Sequence, residues 1–292
     1  MEEDESSKVE ILETVVADVK AFKMSLDKYR HSTEAQKYSL ANTRQTRGHK
    51  RKELQPSNQE DQLQPQASSP AKKKRKSSSY APPSKYAHLP PLQDVLAPNL
   101  ICVFVGTNPG IRTATAGHAY AHPSNLFWKL LHSSGCTDVR LRPEQDGDLP
   151  RLYTMGNTNI VERPSKDAAE LSKAEMAAGT PVLEEKVRKF RPEAVCIVGK
   201  GIWEAVWRWR YGREIKKDEF RYGWQSEKER MGKVEGGDGW DGAWVFVASS
   251  TSGLSASLKP AEKEAIWKPF GGWVKKRREE RAVAWVEEAD GG

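Results

Sequence analysis

The stretch that decides the fold is NLICVFVGTNPGIRTATAGHAYAHPSNLFWKLLHSSG, residues 99–135. Residues 99–105 form a short apolar run rich in β-branched side chains, which predicts a buried strand. Residues 106–110 end this strand with polar side chains, a proline that has no N–H for a sheet, and a glycine. Open α/β sheets bind ligands at the carboxyl ends of their strands, so this loop is a candidate site.

A helix is predicted after this loop. Ser124 is a candidate N-cap for the apolar run 126–131, and Gly135 is typical of a helix end. The same alternation recurs further on, because apolar runs at 193–198 and 243–248 are each followed by a small polar loop and a helical pattern. Strands that alternate with helices predict an α/β domain with a largely parallel sheet.

Other segments carry weaker signals. Ser172 and Glu175 form a capping-box pattern, and the helix that follows is expected to break around residues 179–181. The long helix from about Pro260 is expected to break at residues 271–272. Residues 149–161 are predicted to be irregular, and the polar, glycine-rich residues 210–242 are predicted to form a loop insertion or a mobile hairpin.

Composition divides the chain into two parts. It has 292 residues, of which 37% are hydrophobic, and its mean hydropathy is −0.74, which is too polar for a folded domain throughout. We predict an N-terminal tail, residues 1–86, and a folded domain, residues 87–292. The formal net charge is +7, and residues 37–86 alone carry +9. The excess positive charge therefore lies in the tail and favours a polyanionic partner.

The tail contains two candidate functional segments. Residues 8–30 space their apolar side chains as an amphipathic helix does, and this helix either docks a partner or is isolated and without a role. Residues 31–86 are predicted to be disordered. A basic cluster within them resembles a nuclear import signal, although a solvated charge run is the alternative. The cluster comprises Lys72, Lys73, Lys74, Arg75 and Lys76, and it predicts a nuclear protein that binds the import machinery.

The cysteines and the apolar runs restrict the cellular setting. Cys102, Cys136 and Cys196 are odd in number and lack metal-ligand spacing, which predicts buried thiols in a reducing compartment. No apolar run approaches the roughly 20 residues that span a bilayer, and the acidic N-terminus is not a secretory signal. We expect a soluble, intracellular monomer with no membrane partner, no cofactor and no metal.

The first loop suits a reaction on a flat heterocycle. The amide of Asn108 cannot act as a general base, but it can orient a water molecule. Tyr120 can stack on a ring, and loop N–H groups can hold an anionic oxygen. From the residues alone, Asn108 as a turn former and Tyr120 as a core aromatic stay open. Residues 199–201, Gly-Lys-Gly, also suit one phosphate, but the GxxxxGK[ST] motif is absent.

A long motif then narrows these alternatives. Residues 106–131, G-T-N-P-G-I-R-T-A-T-A-G-H-A-Y-A-H-P-S-N-L-F-W-K-L-L, closely resemble the first motif of the mismatch-specific uracil/thymine DNA glycosylases, of the uracil-DNA glycosylase superfamily. The resemblance covers roughly residues 98–268. It includes further matches at N-I-V-E-R-P-S (159–165), L-S-K-A-E-M (171–176), V-G-K (198–200) and S-G-L-S (252–255).

The resemblance implies a three-layer α/β/α fold with a central, largely parallel sheet. It also implies a monofunctional glycosylase that flips uracil or thymine, or a related modified pyrimidine, out of a G mismatch in double-stranded DNA. The enzyme would then hydrolyse the N-glycosidic bond and initiate base-excision repair. In this interpretation residues 1–86 are dispensable for the chemistry and strengthen DNA retention.

The resemblance also implies roles for individual residues. Asn108 positions the attacking water and Ser165 helps to hold it. The base pocket comprises Gly106, Thr107, Ile111, Tyr120 and Asn125. Within it, Tyr120 stacks on the flipped base, and backbone N–H groups near Ile111 stabilise the departing anion. The DNA-binding residues are Lys200, Ser252, Gly253, Leu254 and Ser255, with Leu254 as the wedge that fills the gap left by the base.

The chain departs from the family pattern beside the wedge. Thr251 stands where the family usually has proline, and Ala256 stands where it usually has arginine. The tract 118–123 is closer to the bacterial, uracil-preferring members. Thymine differs from uracil by one methyl group, worth about 1–3 kcal/mol in a pocket, so activity on thymine stays open.

Two other classes of function fit the sequence. One is a catalytically weak protein that binds mismatched or modified DNA and recruits partners through its tail. The other is a nucleotide-phosphate hydrolase built on Gly199 and Lys200.

Overall fold

The structure is a computed structural model that describes residues 79–233, 236 and 239–290, with side chains as far as residue 284. The predicted helix 8–30 and the basic cluster 72–76 lie outside the described residues. The strands are β1 (Cys102–Gly106), β2 (Met155–Asn159), β3 (Ala194–Val198), β4 (Gly223–Trp224) and β5 (Trp244–Ala248). The α-helices are α1 (Ile111–Ala116), α2 (Phe127–Ser133), α3 (Leu149–Tyr153), α4 (Lys173–Phe190), α5 (Lys200–Tyr211) and α6 (Pro260–Asp290). Short 3-10 helices occur at Pro83–Tyr86, Pro143–Asp148, Ala168–Glu170 and Glu227–Glu229.

The five strands form one sheet in the order β2-β1-β3-β5-β4. The first four strands in this order are mutually parallel, and β4 pairs antiparallel with β5. The predicted largely parallel sheet is therefore confirmed. Its parallel strands all end at the same edge, which is where such sheets bind ligands.

Side chains alternate between the two faces of the sheet, because successive residues of a strand point in opposite directions. On one face, Phe104 of β1 packs edge-on against Phe127 of α2 and stacks on Trp267 of α6, with ring centroids 5.3 and 6.0 Å apart. On the other face, Val105 belongs to a cluster with Trp203 of α5 and with apolar residues of α4. The fold is a three-layer α/β/α domain, as the resemblance implied.

Both predicted helix breaks are wrong. Helix α4 runs through residues 179–181 with Pro181 inside it, and α6 runs through residues 271–272. A Cβ on Gly179 would lie 1.9 Å from the carbonyl oxygen of Ile160, and one on Gly271 would lie 2.1 Å from that of Ser134. These glycines therefore permit close packing of backbone against a helix rather than ending the helix.

The ends of two helices test the predicted caps. At the start of α4 the capping box is confirmed, because Glu175 N donates to Ser172 Oγ at 3.1 Å and Ser172 N donates to Glu175 Oε2 at 2.9 Å. Ser124 does not cap α2, since its hydroxyl lies 2.8 Å from His122 Nδ1. Asn125 Oδ1 accepts from Phe127 N instead, at 3.0 Å.

Residues 149–161, predicted to be irregular, contain regular structure, because they hold α3 and the edge strand β2. Of the two alternatives for residues 210–242, the structure favours the hairpin, because β4 lies in this segment and pairs antiparallel with β5. Strand β2 has the sequence Met-Gly-Asn-Thr-Asn, which lacks the apolar run of the other strands. Its Gly156 is required by packing, since a Cβ there would lie 2.4 Å from the Val95 carbonyl oxygen.

The three cysteines are free thiols and fully buried. Burial raises the pKa of all three, and that of Cys136 reaches about 11. Among the described helices, none combines the length and apolar character that crossing a bilayer requires.

Candidate active site

A cleft of about 1220 Å³ lies at the carboxyl edge of the parallel strands. Its walls are the loop after β1 with helix α1, the loop after β2, and the loop after β5, residues 250–255. The sheet brings together in this cleft all the predicted catalytic and base-pocket residues, together with residues 252–255.

The amide of Asn108 is fixed in one orientation. Its Nδ2 lies 2.8 Å from Ser165 Oγ and 3.0 Å from the carbonyl oxygen of Arg163. A carbonyl oxygen can only accept, so the amide atom that faces it is the donating nitrogen. Asn108 Oδ1 accepts no hydrogen bond from any residue that the structure describes. The amide oxygen is therefore available to a molecule in the cleft.

Ser165 holds Asn108. Its side chain is completely buried, and its hydroxyl donates to the Asp167 carbonyl oxygen at 2.8 Å while accepting from Asn108 Nδ2. A serine hydroxyl has one proton, so Ser165 has none left to donate to water. The backbone supports this pairing, because Ser165 N donates to the Pro109 carbonyl oxygen at 3.1 Å. The structure thus gives Ser165 the geometry of a residue that orients Asn108.

Residues 79–86, the brace segment, contact residues 163–171, the Ser165 loop. The carboxylate of Glu170 accepts from Lys85 Nζ and from the Tyr86 hydroxyl, both at 2.7 Å. The bond from Lys85, followed by that from Tyr86, lowers the pKa of Glu170 to about 2. The same carboxylate also accepts a hydrogen bond from the backbone of its own loop, because Lys166 N donates to Glu170 Oε2 at 2.9 Å.

Arg163 adds a further link between the brace segment and the Ser165 loop. Its Nη2 donates to the Ala81 carbonyl oxygen at 3.0 Å, and its Nε donates to Glu175 Oε1 at 2.5 Å. The bond from Arg163 lowers the pKa of Glu175 to about 2. Ordered contacts to the folded domain therefore begin before residue 87, so the domain includes part of the predicted tail.

Tyr120 presents an aromatic ring to the cleft. The ring stacks on Phe127, with centroids 3.8 Å apart and an interplanar angle of 12°, and it also lines the cleft. A Cβ on Gly106 would lie 3.0 Å from the Tyr120 hydroxyl, so glycine is needed for this approach. Burial raises the pKa of the Tyr120 phenol, and its hydroxyl finds no partner among the described residues.

Two asparagines that the sequence interpretation missed also line the cleft. Asn157 is 2% exposed, and its Nδ2 is buried without a partner among the described residues. Asn159 Oδ1 would lie 2.5 Å from a Cβ on Gly106, so its amide sits beside Tyr120. Both residues belong to β2 and are two positions apart, so their side chains lie on the same face of the sheet. Recognising this strand in the sequence would have been enough to pair them. Amides that line a cleft suit the polar edge of a heterocycle, because each can donate and accept.

The loop that carries Leu254 forms the opposite wall. The Leu254 side chain is 76% exposed, so it projects into solvent and does not pack in the core. Its backbone N donates to Ser252 Oγ at 3.3 Å, and a Cβ on Gly253 would lie 2.3 Å from Ser124 Oγ. Of the two departures from the family pattern, Thr251 is buried and Ala256 is exposed.

Lys200 is the predicted site residue that does not line the cleft. Its ammonium lies 3.5 Å from Glu204 Oε1 and 4.6 Å from the centre of the Phe220 ring. Two other cations do line the cleft and are exposed, namely Arg112 and Lys166. Neither forms an ion pair with another described residue, so both are available to an anionic ligand.

The chemistry of the lining limits what the cleft can do. Among the described residues that line the cleft, only Asp167 has a carboxylate. This carboxylate caps the 3-10 helix Ala168–Glu170, because its Oδ1 accepts from Ala169 N at 2.9 Å. No group of three or more His, Cys, Asp or Glu side chains in the described part of the chain is arranged to hold a metal ion. The arrangement offers an oriented amide, a stacking ring and cationic rims.

Comparisons with known proteins agree with this arrangement. The profile of the uracil DNA glycosylase superfamily matches residues 93–271. A G/U mismatch-specific uracil DNA glycosylase of Schizosaccharomyces pombe is 39% identical to the chain over 189 residues, which are 64% of this chain and 54% of that protein. The chain thus spans about half the length of this curated relative.

Proposed function

The chain belongs to the uracil DNA glycosylase superfamily, and from this premise we propose that it hydrolyses the N-glycosidic bond of uracil mispaired with guanine in DNA. The observation that carries the proposal is the Asn108 amide, whose nitrogen is held by Ser165 and whose oxygen is left to a ligand. The relative from Schizosaccharomyces pombe, which is named for activity on G/U mismatches, supports the choice of substrate.

The proposed chemistry follows from the groups in the cleft. Asn108 Oδ1 accepts a hydrogen bond from a water molecule and so orients one of its lone pairs towards C1′ of the flipped nucleotide. Because an amide does not deprotonate the water before attack, the glycosidic bond breaks ahead of water addition, and its electron pair leaves with uracil. As the water oxygen bonds to C1′, the water loses its proton to solvent or to the departing uracil anion. The reaction then depends on stabilising the departing uracil anion, which the loop N–H groups and polar side chains of the cleft would do.

Base extrusion is the second part of the proposal. Flipping costs a few kcal/mol and costs least at a mispair, which by itself favours uracil opposite guanine. Tyr120 offers a ring for stacking, and stacking on an aromatic side chain stabilises an extruded base. Leu254 is the bulky exposed side chain on the opposite wall and is suited to fill the vacated stack.

Electrostatics supports a DNA partner. Arg112 and Lys166 at the cleft are exposed cations without ion-pair partners among the described residues. Residues 37–86 carry a net charge of +9. Cations that neutralise phosphates release counterions, so binding would weaken steeply as salt increases.

We extend the proposal to thymine and related modified pyrimidines opposite guanine as further substrates. The amides of Asn157 and Asn159 line the cleft, and an amide can both donate and accept, which supports a pocket that tolerates different polar edges. We also propose that the basic cluster 72–76 directs the protein to the nucleus, on the strength of its five consecutive cations.

The test is release of free base from a panel of duplexes with uracil, thymine or 5-substituted pyrimidines opposite guanine or adenine. Single-turnover release of uracil from the U·G duplex, lost in Asn108→Ala, would support the proposal. Binding to the U·G duplex without any release would instead identify a mismatch-binding protein. Release of inorganic phosphate from a nucleotide with magnesium, unaffected by Asn108→Ala, would identify the hydrolase alternative.

A further inference from the structure

The Tyr120 ring depends on a strained piece of backbone. Tyr120 has a φ of +54°, in the left-handed region that residues with a side chain rarely adopt. Such a conformation persists only where its surroundings enforce it. The backbone groups that flank Tyr120 therefore need partners that hold them.

Those partners converge on the residues either side of Tyr120. Ala119 N donates to Asp146 Oδ2 at 2.7 Å, and the Ala119 carbonyl oxygen accepts from Trp128 Nε1 at 3.2 Å. Ala121 N lies 3.3 Å from Thr113 Oγ1, a longer contact. The shortest of these bonds is the one to Asp146, and it is charge-assisted, which makes it the strongest restraint on the turn.

Both carboxylate oxygens of Asp146 form hydrogen bonds with this turn. Its second oxygen, Oδ1, lies 3.0 Å from His118 Nδ1, and the residue is only 6% exposed. A buried carboxylate is costly unless it is paired and hydrogen-bonded. Asp146 belongs to the 3-10 helix Pro143–Asp148, outside the loop that it holds and outside the cleft lining.

We infer that Asp146 is a positioning residue for base stacking, because it fixes residues 118 and 119 and thereby places the Tyr120 ring. The inference rests on the proposed function, in which that ring stacks on the flipped base. A group displaced by about 1 Å can lose about a hundredfold in rate, so a loosened Tyr120 should slow base release substantially.

The test uses single-turnover release of uracil from a U·G duplex by the full chain. Asp146→Ala removes both contacts and should slow release between about tenfold and a hundredfold. Asp146→Asn should retain most of the rate, because its amide oxygen can still accept from Ala119 N, which is the shortest of the bonds that hold the turn. Asp148→Ala is the matched control in the same 3-10 helix, where Asp148 pairs with exposed Arg151, and it should not change the rate.

A double-mutant cycle separates positioning from a general loss of stability. In a Tyr120→Leu background, Asp146→Ala should slow release by less than about twofold, since coupled residues are non-additive. If Asp146→Ala is unfolded at the assay temperature, as a melting curve would show, His118→Ala replaces it and should give a smaller loss that also vanishes in the Tyr120→Leu background. An unchanged rate, or the same loss with and without Tyr120, would overturn the inference. Wild-type protein that releases no base from any duplex would refute the proposed function instead.

Discussion

The two walls of the cleft are built differently. On one wall, the Asn108 amide is bonded to a completely buried Ser165, and the loop that carries Ser165 is held by the brace segment. On the other wall, Leu254 is 76% exposed, although the backbone of its loop is held by turn contacts and by Lys263 Nζ, which donates to the Ser255 carbonyl oxygen at 3.0 Å. The first wall is preorganised before any ligand binds, whereas the second presents an unsupported apolar side chain to solvent.

This difference assigns different tasks to the walls. Orienting a water molecule requires an amide held within a fraction of an ångström, because misplacement is costly in the transition state. Filling a gap in a base stack requires apolar volume that enters DNA, which a side chain buried in the protein cannot do. Removing groups from the first wall should therefore affect chemistry on every substrate, and removing Leu254 should affect duplex substrates selectively.

The largest effect is expected for Asn108→Ala. The variant should lose about a hundredfold to a thousandfold or more in single-turnover base release, as is usual when an oriented polar group is removed from an active site. The loss should be equal for duplex and single-stranded uracil, and binding to the duplex should be retained. A rate near that of the wild type would show that Asn108 does not act in the transition state.

A selective effect is expected for Leu254→Ala. Release from a U·G duplex should fall by about tenfold or more, because part of the unstacking cost is no longer offset. Single-stranded uracil has no stack to hold open and should be released at nearly the wild-type rate. Val139→Ala, which shortens another exposed apolar side chain, serves as the matched control. An equal loss on both substrates would contradict the contrast between the walls.

A smaller effect is expected from two truncations that differ only in the brace segment. Residues 79–292 should release base at the full-length rate, whereas residues 87–292 should be slower by roughly threefold to tenfold and should melt at a lower temperature. Both chains lack the basic tail, so their difference reports all the contacts of the brace segment with the Ser165 loop, among them those of Lys85 and Tyr86 with Glu170 and that of Ala81 with Arg163. Identical rates and melting curves would show that the Ser165 loop needs no brace.

The smallest effect concerns stability as a function of pH. The pKa of Glu170 lies near 2 in the folded protein, below its usual value of 4.5. Its stabilising contribution is therefore complete above about pH 4.5 and is lost as the pH falls towards 2. Glu170→Gln should melt below the wild type at pH 7, and the gap should narrow over this acid range. The control is Glu185→Gln, which alters an exposed pair with Arg188 and should melt close to the wild type at every pH. A difference in melting temperature for Glu170→Gln that stays constant with pH would contradict this account.

The sequence predicts those parts of the molecule whose signals are local. The first strand, the loop with Asn108 and the capping box at Ser172 follow from apolar runs, glycine, proline and a short motif. Strand β2 escapes prediction because its asparagines face the cleft and resemble a loop. Gly179 and Gly271 predict helix breaks from the sequence alone, because only the fold shows that each meets a backbone carbonyl.

The parts of the site that depend on distant segments were not predictable. Ser165 was expected to hold water, and only its bonding shows that its proton is already committed to Asp167. The brace segment, in turn, looks like the end of a polar tail until Tyr86 and Glu170 are placed together. Asp146 carries no sequence signal, because its partners Ala119 and His118 lie 27 and 28 residues away and form no motif with it.

The buried cysteines allow opening of the three-layer domain to be measured by thiol reactivity. Cys102 and Cys196 lie on the adjacent strands β1 and β3, fully enclosed, and burial disfavours the thiolate, which is the form that attacks an alkylating reagent. These two thiols can therefore be alkylated only when the helices separate from the central sheet. A pulse of a thiol reagent, read by mass, would count the molecules that open in a given time, with no label added to the chain.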